Sequence, residues 1–196
     1  MVWTSSYPRS VRTLLGFLLA LTLLVTGAGA ASAATIEDYA PYQPQDHCSP
    51  RAKVGTLALS HFLIHHFGGS FGGISRSCTS GGTSEHKEGR AFDWSLDARS
   101  RHDRKIAQAF MEFAFAADKH GDEDAKARRM GIMYIIWNDH MYEAWNGFER
   151  GDYLASSCKK ISKCSTTLRH RNHMHISLDR TAAKGRTSWY DGRVTP

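Results

Sequence analysis

The chain has 196 residues, 41% of them hydrophobic, and a formal charge of +6. That length suits one domain with its own core. The basic balance attracts anionic partners, cell-wall polymers and nucleic acid alike, so charge by itself excludes neither.

Arg9 and Arg12 precede the apolar run LLGFLLALTLLV, and the small-residue stretch AGAASAA follows. A positive start, an apolar centre and an A-x-A site at Ala31-Ser32-Ala33 have the order of a secretory signal peptide. The run is shorter than the ~20 apolar residues a membrane span needs, and no stop-transfer charges follow it. Cleavage is expected after Ala33 or Ala34; removing 33 of the 196 residues leaves 163 and, with two Arg gone, lowers the charge from +6 to +4. The mature protein is expected outside the cell, associated with the cell wall and free of the membrane.

Residues 34–50 hold Pro41, Pro44 and Pro50 and read as an extended arm. Residues 51–67 have Val54, Leu57, Ala58 and Phe62 at helical spacing, and the glycines of GGSFGG end that helix. RAFDWSL alternates: Ala91, Asp93 and Ser95 on one face, Phe92, Trp94 and Leu96 on the other, as in a half-buried strand. A helix is predicted over 101–119 with Ile106, Phe110, Phe113 and Ala117 on its stripe, followed by a charged, solvated connection, GDEDAKARR. IMYIIW (132–137) reads as a strand, NDH as a turn and MYEAW as its hairpin partner. HMHISL (173–178) alternates again, with His173, His175 and Ser177 opposite Met174, Ile176 and Leu178. The segment from Arg180 onward reads as a polar, loosely ordered tail, 181–196. The expected class is α+β: a small antiparallel sheet with helices packed on one face.

Four cysteines in an exported chain imply two disulfides. Cys158–Cys164 would close a short Lys/Ser-rich loop, leaving Cys48–Cys78 to tie the arm to the segment before residue 84. A cysteine zinc site is the weaker alternative, because no C-x-x-C pair exists.

Two strands thus carry apolar side chains on one face and metal-grade ligands on the other. His86, Asp93 and His175 make a set of two histidines and one carboxylate, with a fourth position left to water, as in catalytic zinc sites. Zinc lowers the pKa of bound water towards ~7. Gly89 permits the turn between His86 and Asp93, Ala91 must be small beside Asp93, and Ser84 is placed to hydrogen-bond the loop. His61, His65 and His66 lack the H-E-x-x-H register and read as surface or packing residues. Trp137, Trp145, Tyr134 and Tyr142 read as packing residues, and Asp97 and Glu88 as outer-shell or solvated acids.

Ser84-x-His86-x-x-Gly89-x-Ala91-x-Asp93 resembles the SxHxxGxAxD motif of zinc D-alanyl-D-alanine carboxypeptidases and dipeptidases. His173-x-His175 resembles the HxH motif of the superfamily joining lysostaphin-type peptidases, D-Ala-D-Ala metallopeptidases and the hedgehog signalling domain; with His170 it becomes HxxHxH. The resemblance spans about residues 51–180 and implies a catalytic domain there. It implies Zn²⁺ held by His86, Asp93 and His175, with His173 as base or transition-state stabiliser, helped by His170. Arg76 matches by position an Arg that grips substrate. It also implies a hydrolase cutting peptidoglycan stem or cross-linked peptides, working as a monomer. The chain departs from the pattern at Asn172, where many relatives carry a Glu as general base. A non-catalytic zinc-containing wall- or partner-binding module is the alternative. A secreted metal-dependent nuclease using Arg169 and Arg171 has no place for the first motif, and nucleic acid is not an expected partner.

Overall fold

The computed structural model describes residues 1–2 and 36–194; the expected signal peptide and its cleavage site lie outside the described residues. The first helix, α1 (Val54–Phe67), runs into an edge strand β1 (Ser70–Gly73); β2 (Ala91–Ser95) and α2 (Arg101–Phe115) follow. A short helix α3 (Ala125–Arg129) leads to β3 (Ile132–Trp137), β4 (His140–Glu143) and β5 (Arg150–Asp152). The chain closes with β6 (Met174–Leu178) and α4 (Arg180–Ala183). The six strands form one antiparallel sheet in the order β1-β2-β6-β3-β4-β5. The late strand β6 therefore lies between β2 and β3.

The sheet has two unlike faces because its strands alternate. Phe92 and Trp94 of β2, Met174, Ile176 and Leu178 of β6, and Met133 and Ile135 of β3 are buried. They pack under α1 and α2, where Phe67, Trp94 and Phe110 meet edge to face. The opposite face carries Asp93, His175, Tyr134 and Ile136. This is the α+β architecture, with both disulfides present as Cys48–Cys78 and Cys158–Cys164.

Several elements differ from the sequence reading. Helix α1 buries Leu59, Leu63, Gly55, Thr56 and Ser60, whereas Val54 of the expected stripe is exposed. The small residues face inward because α4 presses against them: a Cβ on Gly55 would lie 1.9 Å from the Ala182 carbonyl oxygen. GGSFGG both ends α1, at Gly68 with φ 99°, and supplies β1, whose glycines hid it. Helix α2 stops at Phe115, so Ala117 is exposed and Ala114 completes the stripe. The supposed solvated connection contains α3, which buries Ala125 and Ala127. β5 was not expected at all. The tail is not loose: Trp189 and Tyr190 are buried, the Tyr190 hydroxyl donates to the Met130 carbonyl at 3.2 Å and Thr187 to that of Arg129 at 2.6 Å.

Candidate metal centre

Strand register builds the site. β2 and β6 pair so that Asp93 lies opposite His175 and Ala91 opposite Ser177. Directly paired residues share a face, so the carboxylate and imidazole converge on the uncovered side of the sheet. His86 arrives from the 3₁₀ turn Glu85–Glu88, which closes on Gly89 in the left-handed region at φ 66°. A Cβ there would stand 2.0 Å from the Arg51 carbonyl oxygen, so both conformation and space require glycine. Ala91 is fully buried beside Asp93.

Three ligand atoms form a triangle. His86 Nε2 lies 3.0 Å from Asp93 Oδ1 and 3.2 Å from His175 Nδ1, and His175 Nδ1 lies 3.1 Å from Asp93 Oδ1. The outer ring nitrogens are already engaged. His86 Nδ1 donates to the Ile74 carbonyl at 2.7 Å, and His175 Nε2 is 2.9 Å from the Ser177 hydroxyl. With those protons committed outward, the neutral rings turn two lone pairs and a carboxylate oxygen towards one point. Such a set of acceptors is repulsive without a cation. The separations approach the ~3.3 Å edge of a tetrahedron with zinc bonds of ~2.0–2.1 Å. The donor set thus fits a divalent ion, and the bonds to Ile74 and Ser177 are the outer contacts that fix ligand orientation.

A cavity of about 250 Å³ opens onto Asp93, His170, His173 and His175, with Arg76 at its rim. His173 Nε2 lies 3.6 Å from Asp93 Oδ1. Its Nδ1 is 2.9 Å from Asn172 Oδ1, and the Asn172 amide donates to Thr167 at 3.0 Å. Asn172 therefore orients His173. Burial lowers the His173 pKa despite the opposing charge of Asp93, and burial with neighbouring histidines lowers His170 to about 2. His170 stands 4.7 Å from His173, ring centre to ring centre, on a residue with φ 48°. Arg76 is exposed, and its backbone N–H donates to the His86 carbonyl at 3.2 Å.

Some outer residues escaped the sequence reading. Tyr134 stacks on His175 with ring centres 5.4 Å apart and donates to buried Glu85 at 2.5 Å. Alternation within IMYIIW puts Tyr134 and Ile136 on one face, but only the β3–β6 pairing brings that face to His175. Ser84 acts through its backbone, its N–H donating to Gln45 and its carbonyl accepting from Lys87. Glu88 is a buried ion-pair partner of Arg90 at 2.6 Å. Asp46, His47 and Glu88 also cluster, but Arg180 already sits 2.9 and 3.1 Å from the two carboxylates and occupies the place of a cation. Trp137 is buried as expected, whereas Trp145 is 40% exposed and lines a groove. His61, His65 and His66 are exposed.

No curated protein and no solved structure matches the chain. Residues 44–155 match a protein family described as VldE, C-terminal domain; the match takes in His86 and Asp93 and stops before β6. Because that span is more than half of the chain, the protein belongs to the VldE C-terminal domain family.

Proposed function

We propose that the protein is a secreted zinc-dependent peptidase that hydrolyses peptidoglycan peptides. The observation that carries the reading is the triangle of His86, Asp93 and His175, with its outer nitrogens tied back and one side open to a cavity holding a further histidine. A bound zinc ion would supply Lewis acidity there and bring the pKa of coordinated water towards ~7. The rest is work for the chain. His173, kept neutral by burial and with Nδ1 committed to Asn172, offers Nε2 to take a proton from the attacking water and return it to the leaving amine. His170 lines the same cavity, its ring centre 4.7 Å from that of His173, and assists it. Arg76 at the rim offers a guanidinium to a substrate carbonyl or terminal carboxylate.

The test is metal analysis of the mature protein beside product analysis on purified wall peptides. One zinc per chain is expected, lost in His86→Ala and kept in His173→Ala, with cleavage abolished in the first and reduced about 10²–10⁴-fold in the second. Zinc binding without cleavage of any stem or cross-linked peptide would favour a non-catalytic binding module instead. The presence of Asn172 where a general-base Glu would stand is the observation on that side. No bound metal would sink both readings.

A further inference from the structure

The open face of the sheet does not end at the metal centre. Ile136 pairs with His175 across β3 and β6, and with Met141 across β3 and β4; Tyr134 pairs with Glu143. These residues share one face, and Tyr134, Ile136, Met141 and Glu143 floor a groove of about 360 Å³ that is walled by Tyr42, Trp145 and Tyr153. Tyr134, Ile136 and Tyr153 line both this groove and the metal cavity, so the two are continuous. Two strand spacings of ~4.8 Å put the groove about 10 Å from the metal triangle, roughly three residues of extended chain.

We infer that this groove is a sugar subsite, taking a pyranose ring of a glycan attached to the peptide held at the metal centre. Tyr42 and Trp145 are 56% and 40% exposed, an unusual state for two neighbouring large aromatics. Their ring centres are 5.3 Å apart and their planes tilt by 59°, so the two rings pack on one another and present a single angled aromatic surface to the groove. A pyranose offers C–H-rich faces to such rings and hydroxyls around its edge. Glu143 and the tyrosine hydroxyls stand where those hydroxyls would be met. An aliphatic side chain in the same place would desolvate the Glu143 carboxylate without a partner.

The wall is set in advance. Tyr42 lies between Pro41 and Pro44, and next to it Gln43 is pinned: its carbonyl accepts from Arg90, its side chain from the Arg180 N–H at 2.9 Å. A held aromatic binds with little ordering cost. The arm thereby becomes part of the recognition surface.

The identity of the attached peptide rests on the peptidase reading; the sugar itself does not, and the experiment separates them. A β-1,4-linked N-acetylglucosamine tetrasaccharide is titrated into the full mature chain, following the tryptophan indole N–H resonances by NMR, with cleavage of a sugar-free stem peptide assayed in parallel. Saturable shifts centred on Trp145 are expected. Trp145→Ala and Tyr42→Ala should weaken binding about tenfold or more, and Trp145→Phe should retain most of it. Tyr42 is at the surface, so its variant guards against loss of fold. Absence of saturable shifts in the wild type, shifts centred elsewhere, or unchanged affinity in both alanine variants would overturn the inference. Sugar binding without peptide cleavage removes the peptidase reading and leaves the subsite standing; cleavage without sugar binding does the reverse.

Discussion

At the scale of single residues, the triangle of His86, Asp93 and His175 depends on atoms one hydrogen bond beyond it. The Ser177 hydroxyl, 2.9 Å from His175 Nε2, keeps the other nitrogen of that ring turned inward. Ser177→Ala is expected to weaken metal affinity about 10–100-fold, as loss of an outer contact typically does. Competition with a chromogenic chelator reads this directly, and unchanged affinity would show that strand packing alone fixes the ring. Asn172 has a different job, since it touches His173 and not the metal triangle. Asn172→Ala should leave zinc content unchanged while lowering kcat about tenfold or more; an effect on KM alone would instead make Asn172 a substrate contact. The convergence of His86, Asp93 and His175 was legible in the sequence because each lies on a strand or turn with a plain signature: alternation for Asp93 and His175, a glycine-closed turn for His86. Glu85 and Tyr134 were not, because a buried hydrogen bond between residues 49 apart leaves no periodic trace.

Among the elements, the segment carrying His170 has little regular structure, and the β3–β4 turn braces it. The Asn138 and Asp139 N–H groups donate to the carbonyls of His170 and Arg169 at 2.8 and 3.0 Å. The Arg169 guanidinium then grips the Asp139 carboxylate through two bonds of 2.8 and 2.7 Å. Those bonds and the charge of Arg169 hold the Asp139 pKa below its ordinary value, against a smaller opposing effect of burial. A depressed folded pKa means the pair stabilises the fold above the unfolded value of ~3.9 and loses that contribution as pH falls below it. Asp139→Asn preserves shape and tolerates the positive φ of 70°. Its thermal midpoint should therefore lie below that of the wild type at pH 6, with the gap closing as pH falls below about 4; a gap independent of pH would mean that the contribution is packing, not charge. Arg169, weighed from sequence as a phosphate contact, is instead spent on this bond. β2 and β6 could be read because apolar and polar residues alternate along them, and β3 because it is a short run rich in β-branched and aromatic residues. β1 and β5 could not: one is glycine-rich and the other three residues long, and neither buries a side chain that would mark a period.

For the whole molecule, the ends of the described chain matter as much as its middle. The arm and the tail are clasped, with the Ser188 N–H and hydroxyl both donating to the Glu37 carboxylate. Trp189 packs edge to face on Phe62 of α1, with ring centres 5.2 Å apart, and Arg193 lies over its other side. Sequence pattern could not reveal this, because one buried aromatic pair amid polar residues has no periodicity; its partners come from long-range contacts. The tail nevertheless closes the core on the side away from the metal centre's open face. Trp189→Ala should cost about 3–5 kcal/mol, the range for removing a large buried aromatic. The expected signature is a lower urea midpoint with an unchanged slope, since the same surface is exposed on unfolding. Zinc stoichiometry of the folded fraction should stay at that of the wild type, because no ligand or outer contact of the triangle involves the tail. A cost under about 1 kcal/mol would place the tail outside the cooperative unit. Loss of zinc at full foldedness would mean that α1 and α4 transmit strain to β6, and the metal centre would then have to be understood as a property of the whole sheet and not of its open face.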